Sequence, residues 1–175
     1  MNKSLFFFVF LILISIITPW YSLEVYSPKY DKKFIVIASL VHVQLTGEKF
    51  IKLYIPEVQP IYALINLLPV IIIIELAVFW DKISDRKKAA FFIISGLILL
   101  FNLGYFLDYW IRSFRKRNLI SPVGHFVFRD YVFRGDWTIG VYLQAICVVL
   151  LLAIGIYYMI KLFIVTAKAI AKEED

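Results

Sequence analysis

The sequence predicts a membrane all-α fold: a four-helix transmembrane bundle carrying a small extracytoplasmic antiparallel β-sheet. Three observations predict it. Hydrophobic residues make up 62% of the 175 residues and charged residues 18%, against about 45–50% and 25% in soluble domains. Mean hydropathy is +0.82, and the excess is gathered into four long runs. The two long segments between runs are rich in β-branched and aromatic residues, which favour strands. The length suits one unit, 1–175, rather than two.

A spanning helix needs about 20 apolar residues to cross a core of about 30 Å. The runs 5–23, 61–80, 89–110 and 139–165 each meet that length. Lipid leaves no partner for open backbone groups, so these runs are expected as helices. Trp20, Tyr21, Trp80, Tyr109, Trp110 and Trp137 near their ends suit interfacial belts. The first run also has the Lys3 and apolar stretch of a signal peptide. It lacks a small-x-small cleavage site before Trp20, so an uncleaved helix is the preferred reading.

The loop 24–60 holds FIVIASLVHVQL at 34–45, then Thr46-Gly47, then EKFIKLYIP. Two β-rich runs around a glycine-bearing turn predict a hairpin over 33–56 turning at Thr46-Gly47. Ile51, Leu53 and Ile55 alternate with Phe50, Lys52 and Tyr54, the period of a half-buried strand. Residues 81–88, DKISDRKK, are the tightest loop and a basic one. The loop 111–138 carries HFVFRDYVF at 125–133, expected as one more strand beside the hairpin. Residues 166–175 form a tail. Arg134-Gly135-Asp136 matches an adhesion tripeptide but reads as the turn into the fourth helix.

With both termini cytoplasmic, eleven of the 19 basic residues fall outside, and a plain positive-inside count opposes that topology. The tight loop 81–88, with four basic residues in eight, pulls the other way. Folded loops also cross with less regard to charge. Both termini inside, in a cell or plasma membrane, is the chosen topology.

Polar residues inside apolar runs are costly and often functional. Glu75 lies five residues before Trp80, about 7.5 Å in from the inner end of its helix. It reads either as a proton or ion site, or as a structural carboxyl turned inward, protonated or paired with Lys161. The structural reading is preferred, because a conducting path needs several such groups. Asn66, Asn102 and Gln144 sit on three helices at similar depth in the outer half, about 7–12 Å in. Amides so placed bond one another, which reads as structural glue ahead of a polar binding site. Pro69 suits a packing kink ahead of a hinge, and Gly96, Gly104 and Gly155 suit close helix approach.

Arg112, Arg115, Lys116 and Arg117 follow the third run. They read equally as lipid-headgroup ligands or as snorkelling ends. His42 and His125, with Cys147 the one cysteine, make a poor metal set. No Walker loop, dinucleotide fingerprint or nucleophile elbow occurs, so no cofactor is expected. The net charge of +6 is broken up by apolar runs, so no nucleic-acid partner is expected either. The expected partners are the bilayer and other membrane proteins, or further copies of this chain.

The order of helix, β-rich loop, helix, short basic loop, helix, β-bearing loop, helix resembles the claudin and peripheral-myelin-protein class of tetraspan proteins. Trp20 at the end of the first run is similar in placement. The resemblance implies extracellular loops joined in one sheet above a left-handed four-helix bundle. Members act as junction formers, channel regulators and accessory subunits. The class's loop signature, Gly-Leu-Trp followed by two cysteines, is absent here, so no residue role carries over. The expectation is a non-enzymatic structural or accessory subunit. The alternatives are a small transporter or channel component using Glu75, and a small membrane subunit of a respiratory or quinone-linked complex.

Overall fold

Each apolar run folds as a helix, and both β-rich loops feed one sheet, in a computed structural model that describes residues 2–48, 50–118 and 121–173. The helices are α1 (Leu5–Ile17), α2 (Ile61–Val78), α3 (Asp85–Asn118) and α4 (Ile139–Glu173). The strands are β1 (Tyr21–Ser27), β2 (Lys32–Ala38), β3 (Val43–Gly47), β4 (Gly124–Phe128) and β5 (Tyr131–Trp137). They form one antiparallel sheet in the order β3-β2-β1-β5-β4. Among the described residues three helices are long and apolar enough to cross a membrane: Ile61–Val78, Asp85–Arg117 and Ile139–Lys168. The chain is thus a membrane protein with a folded β-sheet.

The first run is not helical throughout 5–23. Pro19 lacks an N–H and disfavours helical backbone in the residue before it. Thr18 is accordingly extended, at φ −70° and ψ 153°, and α1 stops at Ile17. Trp20 then donates its backbone N–H to Ala38 and accepts from Thr138. From Tyr21 the chain is β1, the central strand, with Tyr21, Leu23, Val25 and Ser27 buried. The period-2 signal is present in YSLEVYS, but the apolar run leading into it hides its start.

The predicted hairpin is displaced. The turn falls at 39–42, not at Thr46-Gly47. Ser39 Oγ accepts from the backbone N–H groups of Val41 and His42, and the Ser39 N–H bonds the His42 carbonyl at 2.8 Å. Local hydroxyl-to-backbone bonding of this kind closes turns. Residues 34–45 therefore fold back within themselves, and Gly47, at φ +93°, ends β3. Residues 50–55 make no strand. They run as a strap whose side chains pack while the backbone stays out of the ladder. Leu53 is buried, and Phe50 meets the rings of Phe34 and Tyr131. Ile51 and Ile55 also pack on the core, so apolar residues at 51, 53 and 55 mimic a strand in sequence without its ladder.

The segment 125–133 is two strands rather than one. β4 and β5 form a hairpin through Arg129-Asp130, and β5 pairs with β1 rather than with the 34–55 segment. Arg134-Gly135-Asp136 lies inside β5, not in a turn. A Cβ on Gly135 would overlap the Pro122 carbonyl oxygen, so glycine is there for close approach. α3 absorbs 85–88 of the basic loop and 111–118 of the next, and α4 takes in the tail to Glu173. α2 ends at Val78, two residues early, and runs through Pro69 unbroken.

One face of the sheet lies on the C-terminal end of α3. Phe34, Val36, Leu23, Val25 and Phe133 pack with Phe106, Trp110 and Phe114. Trp20 and Trp110 are fully buried. They are not interfacial anchors facing lipid; they fill the joint between bundle and sheet. A second core of Ile12, Ile73, Phe92, Leu99 and Leu151 fills the other end of the bundle. Between α3 and α4, Gly96 and Gly155 allow close approach: a Cβ would lie 2.7 Å from Leu152 Cδ2 or 2.6 Å from Ile93 Cγ1. Gly104, expected in the same role, faces open space instead.

Candidate functional site

Asn66, Asn102 and Gln144 come from α2, α3 and α4, and α1 adds Ser15, which sequence reasoning missed. All four side chains are completely buried, below the sheet and above the inner core. Asn66 and Gln144 form a reciprocal amide pair: Asn66 Nδ2 donates to Gln144 Oε1 at 3.2 Å, and Gln144 Nε2 donates to Asn66 Oδ1 at 2.9 Å. Asn102 Nδ2 donates to Asn66 Oδ1 at 2.6 Å and to the Tyr62 carbonyl at 2.9 Å. The Ser15 hydroxyl lies 2.9 Å from Gln144 Oε1 and 2.7 Å from the Ile12 carbonyl. Gln144 Nε2 also reaches the Leu99 carbonyl at 3.4 Å. Every helix is thus tied to this point.

The reason lies in spacing and depth. A buried amide without partners costs about 1–3 kcal/mol, so residues that share a depth are driven to find one another. Ser15 carried little signal, because a lone hydroxyl in an apolar helix usually bonds its own backbone. Two groups beside the cluster keep a free valence: Asn102 Oδ1 and the Tyr62 hydroxyl are buried without a protein partner. Amides and a serine hydroxyl carry no titrating charge near neutrality. What this arrangement does is fix the register and rotation of four helices.

The Trp20 indole Nε1 donates to the Ser15 carbonyl, which links the cluster to the sheet. On the sheet side the Tyr21 hydroxyl donates to the Pro122 carbonyl. Burial, and then the Asp136 carboxylate, push the Tyr21 phenol above its ordinary range, so it stays a donor.

Glu75 departs from both sequence expectations. Its side chain is exposed on the outer surface of α2, beside Ile71, Ile74 and Val78, rather than turned towards α3 or α4. Lys161 bonds Asp85 instead, at 2.8 Å, and Asp85 also lies 3.4 Å from Lys88. Asp85 at the start of α3 is the acid level with Lys161, so the pair closes the α3–α4 contact at the end away from the sheet. Lys88 in turn lies over the Trp80 ring at 4.4 Å.

The basic run 112–117 is a helical extension of α3 beside the sheet. Arg112 pairs with Asp108 at 2.6 Å, and Arg117 lies over the Tyr54 ring at 4.4 Å. Arg115 and Lys116 are exposed. A hollow of about 700 Å³ between α3 and α4 is lined by Ala90, Ile93, Met159 and Phe163, with Arg86 and Thr166 as polar members. Among the described residues no group of three His, Cys, Asp or Glu is placed to hold a metal.

No protein-family model matches this chain, and a search of curated proteins gives no match.

Proposed function

We propose that this chain is a four-pass structural or accessory subunit, non-enzymatic, with both termini cytoplasmic and the sheet on the extracytoplasmic side. It contacts other membrane proteins, or further copies of itself, through the outer surface of its helices and the sheet. The observation that carries this reading is where the polar groups point. The deep amides bond one another, whereas Glu75, an acid well inside an apolar run, faces outward among apolar side chains. A carboxyl on a lipid-facing surface is costly near mid-membrane, about 2.5–3.5 kcal/mol. A partner helix offering a donor or a cation there relieves that cost.

α1 has 13 helical residues, about 20 Å at 1.5 Å per residue. Its flanks extend its reach. Asn2 donates its backbone N–H to Ala77 near the inner end of α2, and Trp20 meets the sheet. Contact at both levels supports a fourth crossing. The single sheet built from both loops above four helices supports the resemblance to the claudin and peripheral-myelin-protein class. The outer strands β3 and β4 leave edges open, with Leu45, Val127 and Phe128 exposed. Open edges pair readily with another chain.

Photo-crosslinking residues placed at Ile71 and Ile74 in native membranes test this. The expected result is a discrete protein adduct, either a partner or a second copy, that is lost in Glu75→Leu. Lipid adducts alone, unchanged by Glu75→Leu, contradict it.

A further inference from the structure

Three cations from three separate segments line one small hollow beside the sheet. Lys52 comes from the strap, Arg117 from the end of α3 and Arg129 from the β4–β5 turn, with Phe128, Tyr131 and Phe133 as aromatic walls. Its volume is about 190 Å³, and no carboxylate lines it. Elsewhere on the same sheet cations are matched by acids: Lys29 with Asp130, Lys32 with Glu48, Lys33 with Glu24, Arg134 with Asp136. Among the described residues Lys52, Arg117 and Arg129 have no ion pair.

Both arginines are held in place. Arg117 lies over Tyr54 at 4.4 Å, and Arg129 over Phe128 at 5.4 Å. A guanidinium beside a ring still has N–H groups free to donate. Arg129 also occupies a two-residue hairpin turn at φ 56°, a left-handed position where glycine or asparagine is usual. Phe50 stacks on Tyr131 at 5.8 Å and meets Phe34 edge-on at 5.4 Å, which fixes the strap against the sheet. Two guanidinium groups and one ammonium, with no acid among them, suit a tetrahedral oxyanion.

We propose that this hollow binds a phosphate or sulfate ester, free or carried on a lipid headgroup, with the aromatic walls against the carrier. The full chain in neutral detergent is titrated calorimetrically with a soluble inositol phosphate, and separately with a phosphoinositide in mixed micelles. Binding is expected to fall with added salt. Arg117→Gln and Arg129→Gln are each expected to weaken it by about tenfold or more, and Lys52→Gln in the same direction. Arg115→Gln, outside the hollow, is expected to leave it unchanged. Binding of the soluble ester assigns a free ligand, and binding of the phosphoinositide alone assigns a headgroup; either supports the site. The proposal is overturned by no binding of either probe to folded protein. Affinity unchanged in all three hollow variants, or an equal loss in Arg115→Gln, also overturns it. Circular dichroism melts of every variant confirm that the protein compared is folded.

Discussion

Trp20→Ala is expected to cost about 3–5 kcal/mol, the range for removing a fully buried large aromatic side chain. The indole is completely buried, packs edge-on against Phe106 at 4.8 Å, and donates to the Ser15 carbonyl. It also fills the space over Gly140, where any Cβ would overlap the indole ring. The residue joins α1 to β1, and its backbone bonds both Ala38 and Thr138. Those backbone bonds survive the substitution, so the cost falls on the side-chain packing and the indole donor at the joint. Trp20→Phe keeps most of the packing and loses the indole donor, about 1 kcal/mol. Unfolding in mixed micelles with increasing denaturing detergent measures both. A loss below about 1 kcal/mol for Trp20→Ala would contradict the joint.

Gln144→Leu is expected to destabilise by about 1–3 kcal/mol, because it leaves Asn66 Nδ2 buried without its acceptor. Interhelical hydrogen bonds in membranes average only about 0.6 kcal/mol each. The penalty therefore comes mainly from the orphaned partner, not from the lost bond. That reasoning makes a sharper statement about the combined variant. Replacing Asn66, Asn102 and Gln144 together by leucine removes the partners as well, and the loss is expected to be smaller than the sum of the three single losses. Strong coupling of this sign is what contacting residues show. Additive losses would mean that the amides act independently, contrary to their geometry.

The helices and the amide cluster were legible because depth along a helix can be counted from the sequence. Asn66, Asn102 and Gln144 meet as their spacing from the outer ends requires. The sheet was legible only as composition. Its register depends on where turns close, and the Ser39 turn rests on one hydroxyl within an apolar stretch. β1 was lost because its start continues the first apolar run, and Pro19 alone marks the boundary. Glu75 was misplaced for a different reason. Rotation was assumed inward from cost alone, while Asp85 lay level with Lys161 and took it as partner. The hollow at Lys52, Arg117 and Arg129 joins positions far apart in the chain, and no local pattern announces it.

Membrane sidedness is tested most directly by cysteine accessibility in intact cells. Single cysteines at Thr46 in β3, His125 in β4 and Ser84 before α3 are all at exposed positions, and the native Cys147 is buried in the bundle. An impermeant thiol reagent is expected to label Thr46→Cys and His125→Cys without lysis, and Ser84→Cys only after the membrane is opened. Labelling of Ser84→Cys alone in intact cells would invert the topology, and labelling of all three would contradict a membrane-spanning bundle between the sheet and the basic loop.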